Sequence, residues 1–142
     1  MTPDVPQPRQ RFIGIDPGRM KCGFAVVNDD GTRTRVDVVP TAEIGDRIAS
    51  EVSAGPVAAL CIGHATSSAA IVALCRTRWP DIPIHVVDET NTTLQARQLY
   101  FDDNPPKGLW RLVPRGLLLP PVPLDGYAAA LIVRRYLRFS GR

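Results

Sequence analysis

A chain of 142 residues with 44% hydrophobic and 22% charged residues has the composition of one globular domain, long enough to bury about 68–70% of its unfolded surface. No apolar run approaches the ~18 residues of a membrane-spanning helix, which excludes that class of function. The net charge of +3 is unevenly placed: residues 104–142 hold seven bases and one acid, Asp125, whereas the first 103 residues hold ten bases and thirteen acids.

A basic C-terminal segment on a mildly acidic body is the asymmetry of a polyanion binder, although Arg134, Arg135 and Arg138 would serve equally to complement a helix C-terminus. Residues 1–10 are polar and proline-rich without an apolar h-region, so they read as a flexible arm and not a signal peptide, leaving 11–142 as the single domain. Phe12–Asp16 and Gly23–Val27 are short apolar runs on either side of a Pro/Gly turn, a hairpin signal. Asn28–Gly31 is a second turn, and the Thr and Val residues of Thr32–Val39 predict a third strand. The period then changes. Ile44, Ile48 and Val52 recur every four residues and predict a helix over Thr41–Ser53, with Thr41 as its N-cap and Gly55-Pro56 as its stop.

Val57–Ile62 reads as a fourth strand, followed by a helix from Ser67 to Arg78. Ile84–Val87 reads as a fifth strand and Thr92 to Tyr100 as a third helix. Asn104–Pro123 has six prolines in twenty residues and is a long connection without regular helix, hence a candidate site. A helix over Asp125–Leu137 closes the chain. This order predicts an α/β fold: a five-stranded mixed sheet, three strands antiparallel and two parallel through right-handed crossovers, with helices on both faces. Cys22, Cys61 and Cys75 are odd in number and lack CxxC spacing, which points to buried thiols in a reducing, cytoplasmic setting and not to disulfides or zinc.

Three acids sit where a strand hands over to a loop or helix: Asp16 after FIGI, Glu89 in IHVVDETNTT and Asp125 in VPLDGYAAALIV. Each has a bland reading: Asp-Pro-Gly is a good tight turn, Glu89 suits a solvent-facing strand end, and Asp125 suits an N-cap. Taken together they have a coherent chemistry. Carboxylates converging at the carboxyl edge of a sheet repel unless they share cations, and their hard oxygens favour Mg²⁺ or Mn²⁺. Two such ions can activate water on one side of a phosphodiester and stabilise the leaving oxygen on the other.

The stretches FIGIDPGRMKCGFAVV, VVDETNTTLQAR and PLDGYAAALIVRRYL, in this order from Arg11 to Leu137, resemble the three motifs of the YqgF/RuvX family. That family comprises Holliday junction resolvase-like proteins and pre-16S ribosomal RNA nucleases of the RNase H-like superfamily, related to RuvC. The resemblance implies an RNase H-like nuclease domain with Asp16, Glu89 and Asp125 as catalytic, metal-holding residues for two Mg²⁺ or Mn²⁺ ions. Its implied partner is nucleic acid, with a homodimer as a further possibility. Thr90 replaces the family's Arg after Asp-Glu, Gly63-His64-Ala65 replaces its Gly-Leu-Pro loop, and Val122 stands where RuvC proteins offer a fourth metal-binding side chain. These departures keep open a second reading, an RNase H-like nucleic-acid-binding module with weak catalysis. A phosphotransferase of the actin and sugar-kinase type also uses Asp-x-Gly hairpins but needs two such domains.

Arg19 and Lys21, beside Asp16, are candidates for steering a phosphate, or simply exposed turn residues. Ser67, at a strand-to-helix junction with His64, could meet a phosphate or merely cap a helix. Lys107, Trp110, Arg111 and Arg115 place bases beside an aromatic ring, a composition that suits unpaired nucleic acid or, equally, the cover of a sheet edge. His85 lies inside a strand and reads as a packed residue.

Overall fold

The computed structural model describes residues 9–88, 92–113 and 124–139. Five strands, β1 (Arg11–Asp16), β2 (Lys21–Asn28), β3 (Arg33–Pro40), β4 (Ala59–Gly63) and β5 (Ile84–Val87), form one sheet in the order β3-β2-β1-β4-β5. Neighbouring β1 and β2, and β2 and β3, run antiparallel, while β4 and β5 run parallel to β1. The mixed sheet is therefore the one predicted from the sequence. Four α-helices accompany it: α1 (Ile44–Ala54), α2 (Ser68–Arg78), α3 (Thr92–Asp103) and α4 (Asp125–Phe139).

Strand alternation divides the core into two layers. On one face Ile13, Ile15, Phe24, Val26, Leu60 and Ile62 pack against α1 and α2. On the other, Phe12, Ala25, Val27 and Cys61 pack against α3 and α4, whose Ala129, Ala130, Ile132 and Val133 are buried. β1 is buried on both sides, which explains its unbroken apolar run. The three cysteines are free and buried, as the sequence predicts. Among the described residues no helix is long and apolar enough to cross a membrane.

Helix α4 lies unusually close to the sheet because glycines face it. A Cβ on Gly14 would run into the Ala129 carbonyl oxygen and lie 2.8 Å from Val133 Cγ2. No longer residue at position 14 leaves room for this backbone-on-strand packing.

Two details depart from the sequence reading. Thr41 opens a 3-10 turn, Thr41–Glu43, and does not cap α1; its hydroxyl instead donates to the Gly18 carbonyl at 2.9 Å. The reason is tertiary: the Thr41 backbone N–H also donates to the Met20 carbonyl at 2.9 Å, so this residue braces the β1–β2 turn. The connection after α3 contains a short 3-10 helix, Gly108–Leu112, whose Leu109 and Leu112 are exposed. Of the expected N-terminal arm, residues 1–8 lie outside the described residues. Arg9 pairs with Asp30 at 2.7 Å, and the Gln10 carbonyl accepts from the Asp29 N–H at 3.0 Å.

Candidate functional site

The parallel strands β1, β4 and β5 end at one edge of the sheet, the edge where ligands gather in α/β folds. Asp16 is the last residue of β1 and is half-buried. It alternates with Gly14 and Phe12, so it stands on the α4 face. Its cross-strand partner in β2 is Gly23.

Asp125 reaches this place from the far end of the sequence. It is the first residue of α4, where the positive end of the helix dipole favours a carboxylate. The point that a Cβ on Gly23 would occupy is already filled by the Asp125 carbonyl and lies 3.1 Å from Asp16 Cβ. Only a glycine at position 23 allows the two acids to approach in this way. The start of α4 is further held by Tyr127, whose hydroxyl accepts from Asn104 Nδ2 at 3.4 Å and whose ring meets Tyr100 edge-on at 5.6 Å. Burial, with the nearby Asp103 carboxylate adding to it, pushes the Tyr127 hydroxyl pKa up. Asp103 in turn pairs with Arg33 of β3, whose own pKa that hydrogen bond raises.

Lys21 belongs to the same corner. Its ammonium nitrogen lies 3.6 Å from Asp125 Oδ2, with both side chains more than a third exposed. A cationic group thus already stands against one of the two carboxylates. The Asp125 backbone and Asp16 Cβ meet around Gly23, and each residue brings a partly exposed carboxylate to this corner. Donors of that kind suit Mg²⁺ or Mn²⁺, which bind through one or two carboxylates plus water and phosphate oxygens. Among the described residues no group of three or more His, Cys, Asp or Glu side chains forms. Glu89, the expected third acid, lies outside the described residues, directly after Asp88.

The remaining candidates are dispersed. Arg19 is exposed in the β1–β2 turn. Ser67 precedes α2 but makes no side-chain cap, while the Ser68 hydroxyl donates to the Ala65 carbonyl at 2.7 Å. Because α2 packs on the opposite face, Ser67 and Asp16 share an edge of the sheet but not a face. His64 is exposed there, its backbone N–H donating to the Val87 carbonyl at 2.9 Å. Lys107 and Arg111 are exposed around the short 3-10 helix, and no bond among the described residues joins them to Asp16 or Asp125. Arg115, Thr90, Val122 and the side chain of Trp110 lie outside the described residues. His85 is packed as predicted, its ring stacked on Tyr136 with centroids 4.3 Å apart.

Two features of the site escape sequence reasoning. Gly23 looks like an ordinary strand glycine, although a glycine inside a strand is a signal of close backbone approach. The Arg33–Asp103 and Tyr127–Asn104 contacts join distant segments and leave no local spacing to detect.

No family model matches the chain, and no curated protein does. Among solved structures it is similar to T. thermophilus RuvC in complex with Holliday junction substrate, with a TM-score of 0.57 and 18% identity over 92% of this chain and 96% of that one. It also matches a sugar kinase from Cytophaga hutchinsonii, with a TM-score of 0.45 and 17% identity over 63% of this chain and 39% of that one. A ROK family glucokinase from Streptomyces griseus in complex with glucose and AMPPNP matches with a TM-score of 0.40 and 20% identity, over 64% of this chain and 36% of that one. The chain spans less than half the length of either kinase. The fold is RNase H-like, shared with RuvC over nearly the whole chain.

Proposed function

We propose that the chain is a divalent-metal-dependent nuclease that hydrolyses phosphodiester bonds in structured nucleic acid. The substrate class is Holliday-junction or other branched or single-stranded DNA, or a ribosomal RNA precursor, and the closest family reading is YqgF/RuvX. The observation that carries the proposal is the meeting of Asp16 and Asp125 across Gly23 at the carboxyl edge of the sheet. An RNase H-like fold shared with RuvC supports it, because such an edge is where that architecture gathers ligands.

In this reading Asp16, Glu89 and Asp125 hold Mg²⁺ or Mn²⁺, two ions in all. Bound there, the ions would supply an activated water and a counter-charge for the leaving oxygen. Asp16 is oriented by the last β1 pairing and by the turn that Thr41 braces. Asp125 is oriented by its place as the first residue of α4. Lys21 and Arg19 draw a phosphate toward the acids, while Ser67, Lys107, Trp110, Arg111 and Arg115 hold more of the substrate. A homodimer would present two such edges to a symmetric junction.

The test is a cleavage panel of labelled four-way junction, flap, single-stranded DNA and structured RNA, run separately in Mg²⁺ and Mn²⁺. Cleavage of at least one substrate that EDTA stops is the expected result. Absence of cleavage across the panel, with nucleic-acid binding retained, would replace this reading by the binding-module one.

A further inference from the structure

A second feature lies on the α3/α4 face of the sheet, along its β5 edge. β5 is an edge strand, and a groove of about 850 Å³ runs along it between α3 and α4. Arg134, Arg135 and Arg138 of α4 line it, facing Gln95 and Gln98 of α3. Its floor includes the stacked rings of His85 and Tyr136. Two carboxylates, Asp88 and Asp102, also border it.

The three arginines are not equivalent. Arg135 is half-buried and donates Nη1 to the Asp88 carbonyl at 2.7 Å, so it ties α4 to the end of β5. Arg134 and Arg138 are exposed, and neither forms an ion pair among the described residues. They stand four positions apart on one helix face, where side chains are neighbours about 5–6 Å apart and like charges destabilise the helix. Complementing the helix C-terminus accounts for Arg138, in the last turn, but not for Arg134 before it. Two uncommitted guanidiniums at this separation suit successive phosphates of one strand, and such a ligand would relieve their repulsion.

We propose that the groove between β5, α3 and α4 binds one strand of nucleic acid through its phosphate backbone, with Arg134 and Arg138 as the principal contacts. The single-strand reading follows from the two guanidiniums, neighbours on one helix face at a spacing that suits consecutive phosphates of one strand. The groove adjoins Asp88, so a strand leaving the carboxylate edge passes directly into it. Helix α4 thus carries both parts, with Asp125 at its start and Arg134 about 14 Å further along at 1.5 Å per residue. The ligand class rests on the nuclease reading, but the groove is testable without catalysis.

The experiment measures binding of a fluorescein-labelled dT20 oligonucleotide by anisotropy, in EDTA, across a salt series. Arg134→Gln/Arg138→Gln is expected to weaken binding about tenfold at low salt and to make the slope of log K against log[salt] shallower by about 1.4, or about 0.7 for each lost phosphate contact. Arg134→Lys/Arg138→Lys keeps the charge and should keep the slope. An unchanged slope in the Gln variant overturns the proposal, as does an equal loss for a duplex of the same length or no binding by the wild type. If the slope falls as expected but the wild type cuts nothing in Mn²⁺, the groove stands and the nuclease reading fails. If the wild type cuts and the slope is unchanged, the nuclease reading stands and the groove fails.

Discussion

Asp16 and Asp125 are neighbours because both press on Gly23: the Asp125 carbonyl fills the space of the missing side chain, and Asp16 Cβ lies 3.1 Å from it. The obstacle to any larger residue is backbone, which cannot rotate away. Gly23→Ala must therefore push the start of α4 off β2, at a cost of about 1–3 kcal/mol from overpacking, and cleavage should fall with it. Gly14→Ala meets the Ala129 carbonyl further along the helix and should cost a similar amount. Its folded fraction, however, should still cut. Urea unfolding combined with cleavage rates per folded molecule separates the two variants.

Lys21 competes with any cation for Asp125. Their ion pair is largely exposed, so Lys21→Met should change stability by less than about 1 kcal/mol. Removing the ammonium should nevertheless strengthen Mn²⁺ binding, read by titration calorimetry without substrate. Weaker Mn²⁺ binding in the variant would mean that Lys21 supports the site in some other way.

Glu51 is a structural control remote from the site. Its buried carboxylate bridges Arg11 and Arg35, each at 2.6 Å, and Arg11 also donates to the Glu51 and Gly55 carbonyls at the end of α1. Removing one partner of a buried ion pair is costly, so Glu51→Ala should lose about 3 kcal/mol. Cleavage by the remaining folded protein should be unchanged. A selective loss of activity would place Glu51 in a role the fold does not suggest.

The thiols predict an alkaline limit to stability. Burial pushes the Cys61 thiol up to about 12 and the Cys75 thiol up to about 11, from an ordinary 9.0. In the unfolded chain both ionise from about pH 9, so between that pH and the folded values the native state holds more protons and stability falls as pH rises. Each thiol contributes a decline of about 1.4 kcal/mol per pH unit in that window. Below pH 9 the effect is fully in place and flat. Urea midpoints from pH 7 to 10.5 should show the decline, and Cys61→Ala should flatten part of it. Native protein should also resist thiol labelling at pH 8, whereas urea-unfolded protein should react at Cys61 and Cys75.

Much of this architecture is legible in the sequence because local patterns and tertiary packing agree. The alternation and turns of residues 11–39 give the meander, and the unbroken AAALIV run gives a helix buried throughout that stretch. Asp16 and Asp125 could be singled out because each stands at the end of an apolar element. The role of Thr41 was hidden, since the bonds that claim it come from Gly18 and Met20 in another segment. Arg134 and Arg138 look like ordinary helix-terminal bases until β5 and α3 are placed beside them. Gly23 is the clearest case: what it permits depends on a helix that begins a hundred residues later.

The most direct test of the central claim is cleavage in Mn²⁺ by Asp16→Asn and Asp125→Asn, each checked by circular dichroism and by binding of the same substrate. Both substitutions keep the shape of the side chain and remove its charge. The account predicts that each variant folds and binds nucleic acid but no longer cuts. A purified variant of either kind that cuts as well as the wild type would contradict it.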